Sequence, residues 1–331
     1  MDTKTKLRFI IKTANVYIRY KLRRYTPFAL YLPITYRCNL KCNFCNVWKY
    51  HSKKELGLSK IYEIIDDTKR IGIPYISVFG GEPLLRKDLQ LIGKAIQKSG
   101  IVAALTTNGT LINKYRAKSL LDSFDIIKIS FTGLKKTHEI NTGIKNSYKR
   151  TVNGLNSLIK FTNKKIQIII HFVINKNNLN EIEDFIKEFK DKVNLICLLP
   201  ENRPGSIFDD TSFYNKWKEI KGKYNIGDSN YFIENLNSKD EICDAGKLYL
   251  TIHPNGDVNA CNVHQKLIMG NIHDRSFYEI YKSGISPEIK KRIKNCDGCY
   301  MKCTTEISQI FRIPFYKLIF NLPTLMRTYR I

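Results

Sequence analysis

The stretch "YRCNLKCNFCNVW", residues 36–48, places Cys38, Cys42 and Cys45 within eight residues, at the spacing C-x3-C-x2-C. One reading is a structural zinc ion, which normally takes four protein ligands. His51 is the nearest candidate for a fourth, but it lies on a lysine-rich segment with no spacing that recommends it. Three thiolates with one open position suit instead an iron–sulfur centre that also binds something else. Structural zinc remains the alternative.

The composition is that of a globular protein with an unusual charge. The 331 residues suffice for two domains, and contents of 43% hydrophobic and 26% charged residues are ordinary. The formal charge of +25 has two interpretations: a composition rich in lysine and asparagine, or a basic surface for an anionic partner. No secretory signal is visible, and no uncharged apolar run approaches the roughly 20 residues of a membrane span. We therefore expect a cytoplasmic protein, in which nine cysteines indicate metal sites or catalysis rather than disulfides.

Short apolar runs rich in β-branched and aromatic residues alternate with segments of helical periodicity. The predicted strands are residues 28–35, 75–80, 102–107, 126–131, 166–174 and 193–200. Among the intervening helices, residues 59–72 end at Gly72, and residues 180–190 have Asn180 as the predicted N-cap. Six β/α units predict an α/β fold, a partial (β/α)6 TIM-like barrel followed by a small cysteine-rich C-terminal domain.

Four distinctive stretches follow the first four predicted strands. The cysteine loop follows the first strand, "GGEP" (residues 80–83) the second, "TNGT" (residues 107–110) the third and "SFTG" (residues 130–133) the fourth. The carboxyl ends of parallel strands lie at one face of such a barrel. We therefore expect these four stretches to border a single site.

The cysteine loop, with Phe44 before its last cysteine, resembles that of the radical S-adenosylmethionine (radical SAM) superfamily. In that family three cysteines hold three irons of a [4Fe–4S] cluster, and S-adenosylmethionine chelates the fourth iron through its amino and carboxylate groups. The resemblance implies that Cys38, Cys42 and Cys45 are the ligands. It also implies that Phe44 lies near the adenine.

Residues 80–83 match the glycine-rich motif of the same family. Gly80 and Gly81 allow the backbone to approach a ligand closely, because they carry no side chain. The resemblance implies that Glu82 offers its anion to the methionyl ammonium group. Their position, one β/α unit after the cysteines, favours the resemblance over an ordinary turn.

The third and fourth strand ends carry further polar candidates. Asn108 and Ser130 fall where the family places polar groups near the ribose and the methionyl carboxylate. For Asn108 a plain Asn-Gly turn is the alternative. Many relatives carry Ser-x-Asp-Gly at the fourth strand, whereas this chain has Thr132 in place of the Asp. No role is therefore carried over to Thr132.

A second group of cysteines follows the predicted barrel. Cys243 and Cys261 flank a predicted β-hairpin that turns at Asn255-Gly256. The five cysteines of this group are Cys243, Cys261, Cys296, Cys299 and Cys303. With "GNI" (residues 270–272) after the hairpin, the region resembles the SPASM/twitch extension of radical SAM enzymes, which binds auxiliary iron–sulfur clusters. Five cysteines rather than seven favour one auxiliary [4Fe–4S] cluster with four of the five as ligands, and a zinc ribbon is the alternative.

The predicted domains are a basic amphipathic segment at 1–26, the radical SAM barrel at 27–235, the auxiliary-cluster domain at 236–306 and an apolar basic segment at 307–331. Apolar residues recur at helical spacing in both end segments. In the first they are Leu7, Ile10, Ile11, Ala14, Tyr17 and Ile18, and in the last Ile307, Ile310, Phe311, Pro314, Phe315, Leu318, Ile319 and Leu322. Either these helices pack on the barrel, or they attach the protein to an anionic membrane surface. Nucleic acid is a third alternative, although no RNA-binding module or groove-reading motif is present.

The resemblance implies an enzyme that reductively cleaves S-adenosylmethionine to a 5′-deoxyadenosyl radical and abstracts hydrogen from its substrate. Its partners would be a peptide or small-molecule substrate and an electron donor such as flavodoxin or ferredoxin. Peptide or protein maturation by oxidation, cross-linking or epimerisation is the first expectation. The alternatives are radical dehydrogenation or coupling on a sugar or lipid-linked small molecule and, in another class, a zinc-stabilised nucleic-acid-binding protein. We expect a cytoplasmic location, peripheral to the membrane if the end segments bind lipid.

Overall fold

The structure is a computed structural model. It describes residues 3–49, 55–162, 166–201, 211–228, 243–263, 266–296 and 301–314, without the side chains of residues 211–214, 302 and 303.

All six predicted barrel strands are present. Their bounds are Ala29–Thr35 (β1), Tyr75–Gly80 (β2), Val102–Thr107 (β3), Ile126–Phe131 (β4), Gln167–Ile174 (β5) and Leu195–Pro200 (β6). They pair in the order β6-β5-β4-β3-β2-β1, and each pair is parallel. The prediction of an α/β partial barrel is confirmed.

Helices connect the strands, and one precedes them. Their bounds are Thr3–Lys21 (α1), Leu58–Ile71 (α2), Leu89–Lys98 (α3), Lys114–Leu121 (α4), Lys135–Thr142 (α5), Ser147–Phe161 (α6), Ile182–Phe189 (α7) and Thr211–Lys223 (α8). Helix α2 ends as predicted, at Gly72 with a left-handed φ of 91°. The N-cap prediction for Asn180 was wrong. A 3₁₀ turn, Leu179–Glu181, leads directly into α7, so Asn180 already lies in helical backbone where a capping residue would need an extended one.

The sheet continues beyond the barrel. Tyr249–Ile252 (β7) pairs in parallel with β1, and Asp257–Asn259 (β8) and Ile268–Asn271 (β9) extend the sheet antiparallel. The predicted hairpin is confirmed, with Gly256 at its turn (φ 92°). The sequence did not indicate that β7 would join the barrel. Because it does, the carboxyl end of β7 lies beside the cysteine loop.

Three helices follow the hairpin within the described residues: Phe277–Ser283 (α9), Pro287–Lys294 (α10) and Lys302–Arg312 (α11). The predicted domain boundary at residues 235/236 lies outside the described residues. The predicted boundary at residues 306/307 falls inside α11.

The two faces of the sheet carry separate hydrophobic cores, because successive residues of a strand point to opposite faces. Leu30 and Leu32 of β1 belong to the outer core, beneath the helices, whereas Ala29 and Tyr31 belong to the inner core. The inner core also contains Phe9, Val16 and Tyr17 of α1 and Ile307, Ile310 and Phe311 of α11. Its strand residues come mostly from the amino-terminal halves of the strands. Helices α1 and α11 therefore fill the inner face at that end.

One alternative for the end segments was that their helices pack on the barrel. This is confirmed for one side of α1. The Tyr17 hydroxyl also donates to the backbone oxygen of Ile313 at 2.6 Å, which joins α1 to the end of α11. The single apolar stripe predicted for residues 1–26 needs correction, because Tyr17 faces the protein while Leu7, Ile11 and Ile18 face solvent. Within the described residues, no helix combines the length and apolarity needed to cross a bilayer.

Candidate active site

The cysteine loop runs from the end of β1 across the end of α5. The backbone amides of Lys41 and Asn43 donate to the backbone oxygens of Thr142 and Asn141, each at 3.0 Å. The Trp48 indole nitrogen donates to the Cys42 backbone oxygen at 3.2 Å. These bonds fix the path of the loop between its cysteines.

The three predicted ligands lie on this loop and are half-buried. Burial, with smaller contributions from the nearby Glu82 and Cys45, raises the pKa of the Cys38 thiol to about 11. Burial, together with the two neighbouring thiols, raises the pKa of Cys42 to about 12. The thiols therefore lie within electrostatic reach of one another, at a place that favours thiolates only when a cation is bound. Within the described ranges, no three His, Cys, Asp or Glu side chains are arranged to hold a single metal ion.

The glycine-rich motif lies directly against the cysteine loop. The backbone amides of Gly81 and Glu82 donate to the backbone oxygens of Thr35 and Arg37, both at 2.8 Å. A side chain at Gly80 would overlap the Thr35 oxygen, and one at Gly81 would overlap the Arg37 oxygen. Gly80 also has a φ of 149°, which L-residues rarely adopt. Because these two glycines carry no side chain, the glycine-rich motif packs directly against the backbone that precedes Cys38.

Glu82 connects the ends of the second and third strands. Its carboxylate is 0% exposed. One oxygen accepts from the Leu84 backbone amide (3.0 Å) and the Thr107 hydroxyl (2.7 Å), and the other from the Asn108 backbone amide (2.8 Å). Burial raises the pKa of Glu82, and these three donors oppose the rise. The side chain thus holds residues 80–83 against residues 107–110.

Asn108 connects the third strand end to the cysteine loop. Its side-chain nitrogen donates to the side-chain oxygen of Asn39 at 3.0 Å. Its side-chain oxygen accepts from the amide and the hydroxyl of Thr110, at 3.0 and 2.7 Å. Asn39 in turn donates to the Thr110 hydroxyl at 2.8 Å. The Asn-Gly turn is also present, with Gly109 at a φ of 74°.

The other predicted cofactor contacts are partly accessible. Phe44 and Ser130 are half-buried, and the Ser130 hydroxyl has no hydrogen-bond partner among the described residues. Thr132, two residues on, belongs to a buried network in which its backbone amide donates to His138 Nδ1 at 3.2 Å and its oxygen accepts from Asn141 at 2.6 Å. Ser130 therefore remains available at the site, whereas Thr132 is structural.

The inner face above the core carries two histidines that sequence reasoning missed. His171 on β5 is paired with Ser130 on β4 and shares its face. His253, just after β7, has Nδ1 2.8 Å from the Tyr36 hydroxyl, and burial lowers its pKa, so the ring is neutral. Its Nε2 is buried without a hydrogen-bond partner in the described part of the chain. The sequence did contain a signal for His171, because this polar residue interrupts the apolar run of the strand "QIIIHFVI".

The structure places only some of the late cysteines. Cys243 and Cys261 are half-buried, and the Cys243 sulfur lies 3.1 Å from the Tyr249 hydroxyl. Cys296 is exposed. Cys299 lies outside the described residues, and only the backbone of Cys303, in α11, is described. The ligand set of the auxiliary site therefore stays a prediction.

A six-stranded parallel partial barrel with three thiols on the loop after its first strand defines an iron–sulfur enzyme class. Residues 32–189 match the family model of the Radical SAM superfamily, and residues 243–304 match that of the SPASM iron–sulfur cluster-binding domain. The chain therefore carries a radical SAM domain followed by a SPASM domain. These domains imply a [4Fe–4S] cluster, S-adenosylmethionine and auxiliary iron–sulfur binding in a radical-based modifying enzyme. The family is that of the first prediction, not that of the zinc-stabilised nucleic-acid-binding alternative.

Similar proteins share most of the chain. The mycofactocin maturase MftC of Mycolicibacterium smegmatis is 27% identical over 282 residues, covering 77% of this chain and 70% of that protein. The Fe-coproporphyrin III synthase of Methanosarcina barkeri is 25% identical over 306 residues, covering 79% and 75%. The structure of Streptococcus suis SuiB bound to the precursor peptide SuiA superposes with a TM-score of 0.64 at 19% identity, covering 86% and 71%.

Proposed function

We propose that this radical SAM enzyme modifies a peptide, by oxidation, cross-linking or epimerisation during its maturation. The observation that carries the radical chemistry is the position of the cysteine loop. Hydrogen bonds with the segments after the second and third strands, which also bond to each other, hold this loop at the carboxyl end of the barrel. Two comparisons support a peptide substrate. The similar MftC is a maturase, and SuiB, which shares the fold, was solved with a precursor peptide.

Cys38, Cys42 and Cys45 would hold the [4Fe–4S] cluster, and the residues around them fit this role. When bound, the cluster and S-adenosylmethionine supply the reductive cleavage that generates a 5′-deoxyadenosyl radical. Glu82 accepts three protein hydrogen bonds, so we assign it first to holding the cofactor-binding loops together. Contact of its carboxylate with the methionyl ammonium is compatible with the one lone-pair site that remains.

The remaining assignments concern the cofactor and the substrate. Gly80, Gly81, Asn108 and Phe44 would border S-adenosylmethionine, and Ser130 would supply a free hydroxyl to it. His171 and His253 lie on the inner face above the core, where the substrate would be held. Because α1 and α11 fill the inner face at the amino ends of the strands, the substrate would enter from the carboxyl ends.

The SPASM region would hold one auxiliary [4Fe–4S] cluster. Four of Cys243, Cys261, Cys296, Cys299 and Cys303 would be its ligands, since five thiols suffice for one fully ligated cluster but not for two. The 3.1 Å contact with Tyr249, a β7 residue, places Cys243 next to the barrel sheet. An auxiliary cluster held by these thiols would supply a second electron-transfer centre to the enzyme.

A small-molecule substrate is the second candidate. The similarity to an Fe-coproporphyrin III synthase, 25% identical over 306 residues, favours it. Product analysis separates the two. Oxidation or cross-linking changes the mass of a peptide, epimerisation inverts one of its stereocentres without changing the mass, and all three leave a free tetrapyrrole untouched.

We also propose that the enzyme works in the cytoplasm, with flavodoxin or ferredoxin as electron donor, and that it associates peripherally with the membrane. A formal charge of +25 favours an acidic donor protein and an anionic lipid surface alike.

The test of the radical SAM assignment is a triple variant, Cys38→Ala, Cys42→Ala and Cys45→Ala, purified anaerobically. We expect no 5′-deoxyadenosine after chemical reduction with S-adenosylmethionine. We also expect about half the iron and sulfide of the parent, because each cluster is held by its own local thiolates.

Cys197→Ala is the matched control, since Cys197 is a buried thiol of the inner core on β6. This variant should contain as much iron as the parent and should cleave S-adenosylmethionine as the parent does. Formation of 5′-deoxyadenosine by the triple variant would overturn the assignment of the cluster ligands. Stoichiometric zinc without sulfide in that variant would make the SPASM region a zinc ribbon.

A further inference from the structure

Helix α1 has two apolar faces, and the barrel covers only one of them. Phe9, Val16 and Tyr17 are buried in the inner core. On the opposite side, four large side chains form a continuous stripe at spacings of four and seven residues, so that they share one face of the helix. This outward stripe consists of Leu7, Ile11, Ile18 and Leu22, each between 56% and 62% exposed.

The outward stripe is unusual for this protein. Of the large hydrophobic residues that are exposed in the described part of the chain, six of twelve lie at residues 7–25. A contiguous exposed apolar patch of this kind marks a contact surface, whereas scattered exposed residues need no explanation. The outward stripe is therefore a candidate contact surface.

The charges beside the stripe define the chemistry of its partner. Residues 3–25 contain eight Lys or Arg residues and no Asp or Glu. Arg8, Lys12 and Arg19 follow one edge of the stripe, and Lys21 lies on its other edge. Residues 3–25 supply no carboxylate to balance these charges, and burial, with the positive charges of Arg8 and Lys69, lowers the pKa of Lys12. The partner must offer both apolar and negatively charged groups.

A cavity of about 200 Å³ opens at the same edge. It is lined by Ile11, Lys12, Asn15, Arg19, Thr26, Ile71 and Gly72. Lys12 uses one hydrogen bond on the Gly100 backbone oxygen (3.0 Å), and Arg19 donates through Nε to the Thr26 hydroxyl (2.7 Å). Both cations are thus held in place with donors to spare, and a phosphate group is the anion that such a pair recognises.

We propose that α1 docks the folded enzyme on an anionic phospholipid surface, with the outward stripe among the acyl chains and a lipid phosphate in the cavity beside Lys12 and Arg19. This deepens the peripheral association proposed above and names its surface and its ligand. A bilayer rich in anionic lipid combines apolar and negatively charged groups in one plane, as a helix with an apolar stripe and basic flanks requires. Because the inner face of α1 stays packed on the barrel, the helix docks without leaving the protein.

The first test concerns the stripe and uses the full-length, cluster-loaded enzyme. Sedimentation is measured with vesicles of phosphatidylcholine alone and of equal amounts of phosphatidylcholine and phosphatidylglycerol. We expect binding to the anionic vesicles that falls with added salt, and about tenfold or more weaker binding by the Ile11→Ser, Ile18→Ser variant. The matched control is Leu91→Ser with Ile268→Ser, two residues of 50% and 47% exposure outside α1, which should bind as the parent does.

The second test concerns the phosphate. The Lys12→Gln, Arg19→Gln variant should lose about tenfold or more in affinity for anionic vesicles, since each surface cation near the membrane contributes roughly fivefold. Lys94→Gln with Lys98→Gln removes the same charge from exposed residues of α3 and should cost about twofold at most, because neither side chain lines the cavity. Equal losses by the two variants would overturn the cavity as a phosphate site.

Other occupants of the stripe give different results. A second copy would appear as a dimer in solution that Ile11→Ser, Ile18→Ser makes monomeric. Cover by residues 315–331 would appear as a lower thermal midpoint of that variant. Either result, without binding to anionic vesicles, overturns lipid docking. Formation of 5′-deoxyadenosine should match the parent in every α1 variant, so a failure of docking is distinguishable from a failure of the radical SAM assignment.

Discussion

The side-chain nitrogen of Asn108 donates to the side-chain oxygen of Asn39 at 3.0 Å. This bond joins the loop after the third strand to the middle of the cysteine loop, one residue from Cys38. The backbone amide of Glu82, after the second strand, donates to the backbone oxygen of Arg37 just before Cys38, so the cysteine loop is held from two sides. The cluster would be bound by a loop whose shape is set before the metal arrives, which reduces the ordering that binding requires.

The first prediction tests this bond. Asn39→Ala removes the acceptor for Asn108 and the donor to Thr110, at a cost of about 1 kcal/mol in stability. We expect the variant to lose iron from the radical SAM cluster faster than the parent on exposure to a chelator. The rate is measured from the decay of the cluster's absorbance band. Asn113→Ala is the matched control. It removes the N-cap of α4 at a similar cost, about 1 kcal/mol, but no hydrogen bond to the cysteine loop, and should lose iron at the parental rate.

The second prediction concerns Gly81. Gly81→Ala would place a methyl group against the Arg37 backbone oxygen, so the cysteine loop must move away. We expect loss of most of the radical SAM cluster and of 5′-deoxyadenosine formation, with the auxiliary cluster retained. Gly222→Ala on α8 has open space around it and removes a helical glycine, so it should be neutral or stabilising by about 0.5–1 kcal/mol. Parental cluster content in Gly81→Ala would contradict the tight contact between the two loops.

The third prediction separates two roles for Glu82. Glu82→Gln puts an amide NH₂ where at least one buried backbone amide now donates, which should destabilise the protein by about 1–3 kcal/mol. If Glu82 acts by holding the loops, binding of S-adenosylmethionine, measured by calorimetry, weakens together with cluster stability. An intact cluster with lower affinity would instead indicate direct contact with the ammonium group. Glu188→Gln, an exposed carboxyl bonded to the Tyr148 hydroxyl, should change neither quantity.

The fourth prediction follows from the buried His138. Burial lowers its pKa from 6.5 to about 4 in the folded protein, and its Nδ1 accepts a hydrogen bond from the Thr132 amide. Between these two pKa values the unfolded chain binds a proton that the folded protein does not. Stability is therefore full above pH 6.5 and falls as the pH drops towards 4, by up to about 3 kcal/mol.

Thermal midpoints measured anaerobically across this pH range should show the loss, and His138→Gln should show a shallower dependence on pH. A parallel pair of curves for the parent and the variant would mean that His138 is not the group that titrates. His253, whose pKa burial also lowers, adds to the parental slope and is unchanged in the variant.

Much of the fold could be predicted because its signals are local. Runs of β-branched residues, the left-handed Gly72 at the end of α2 and the Asn255-Gly256 turn each act over a few residues, and each was found where predicted. The cysteine spacing likewise needs no tertiary information, because the three thiols that we propose as cluster ligands lie on one loop. Asn180 shows the limit of such reasoning, since whether a residue caps a helix depends on the backbone before it.

The sequence by itself determined the six strands, the order of the strand-end loops and the three closely spaced cysteines that we propose as cluster ligands. Only the tertiary structure decided what those loops do to one another: Glu82 is buried between two of them, and Gly81 lies against the Arg37 backbone. It also decided that β7 joins the barrel sheet and that α1 carries one buried and one exposed apolar face. The physical reason is that these facts depend on contacts between residues far apart in the chain, whereas periodicity and spacing report only on near neighbours.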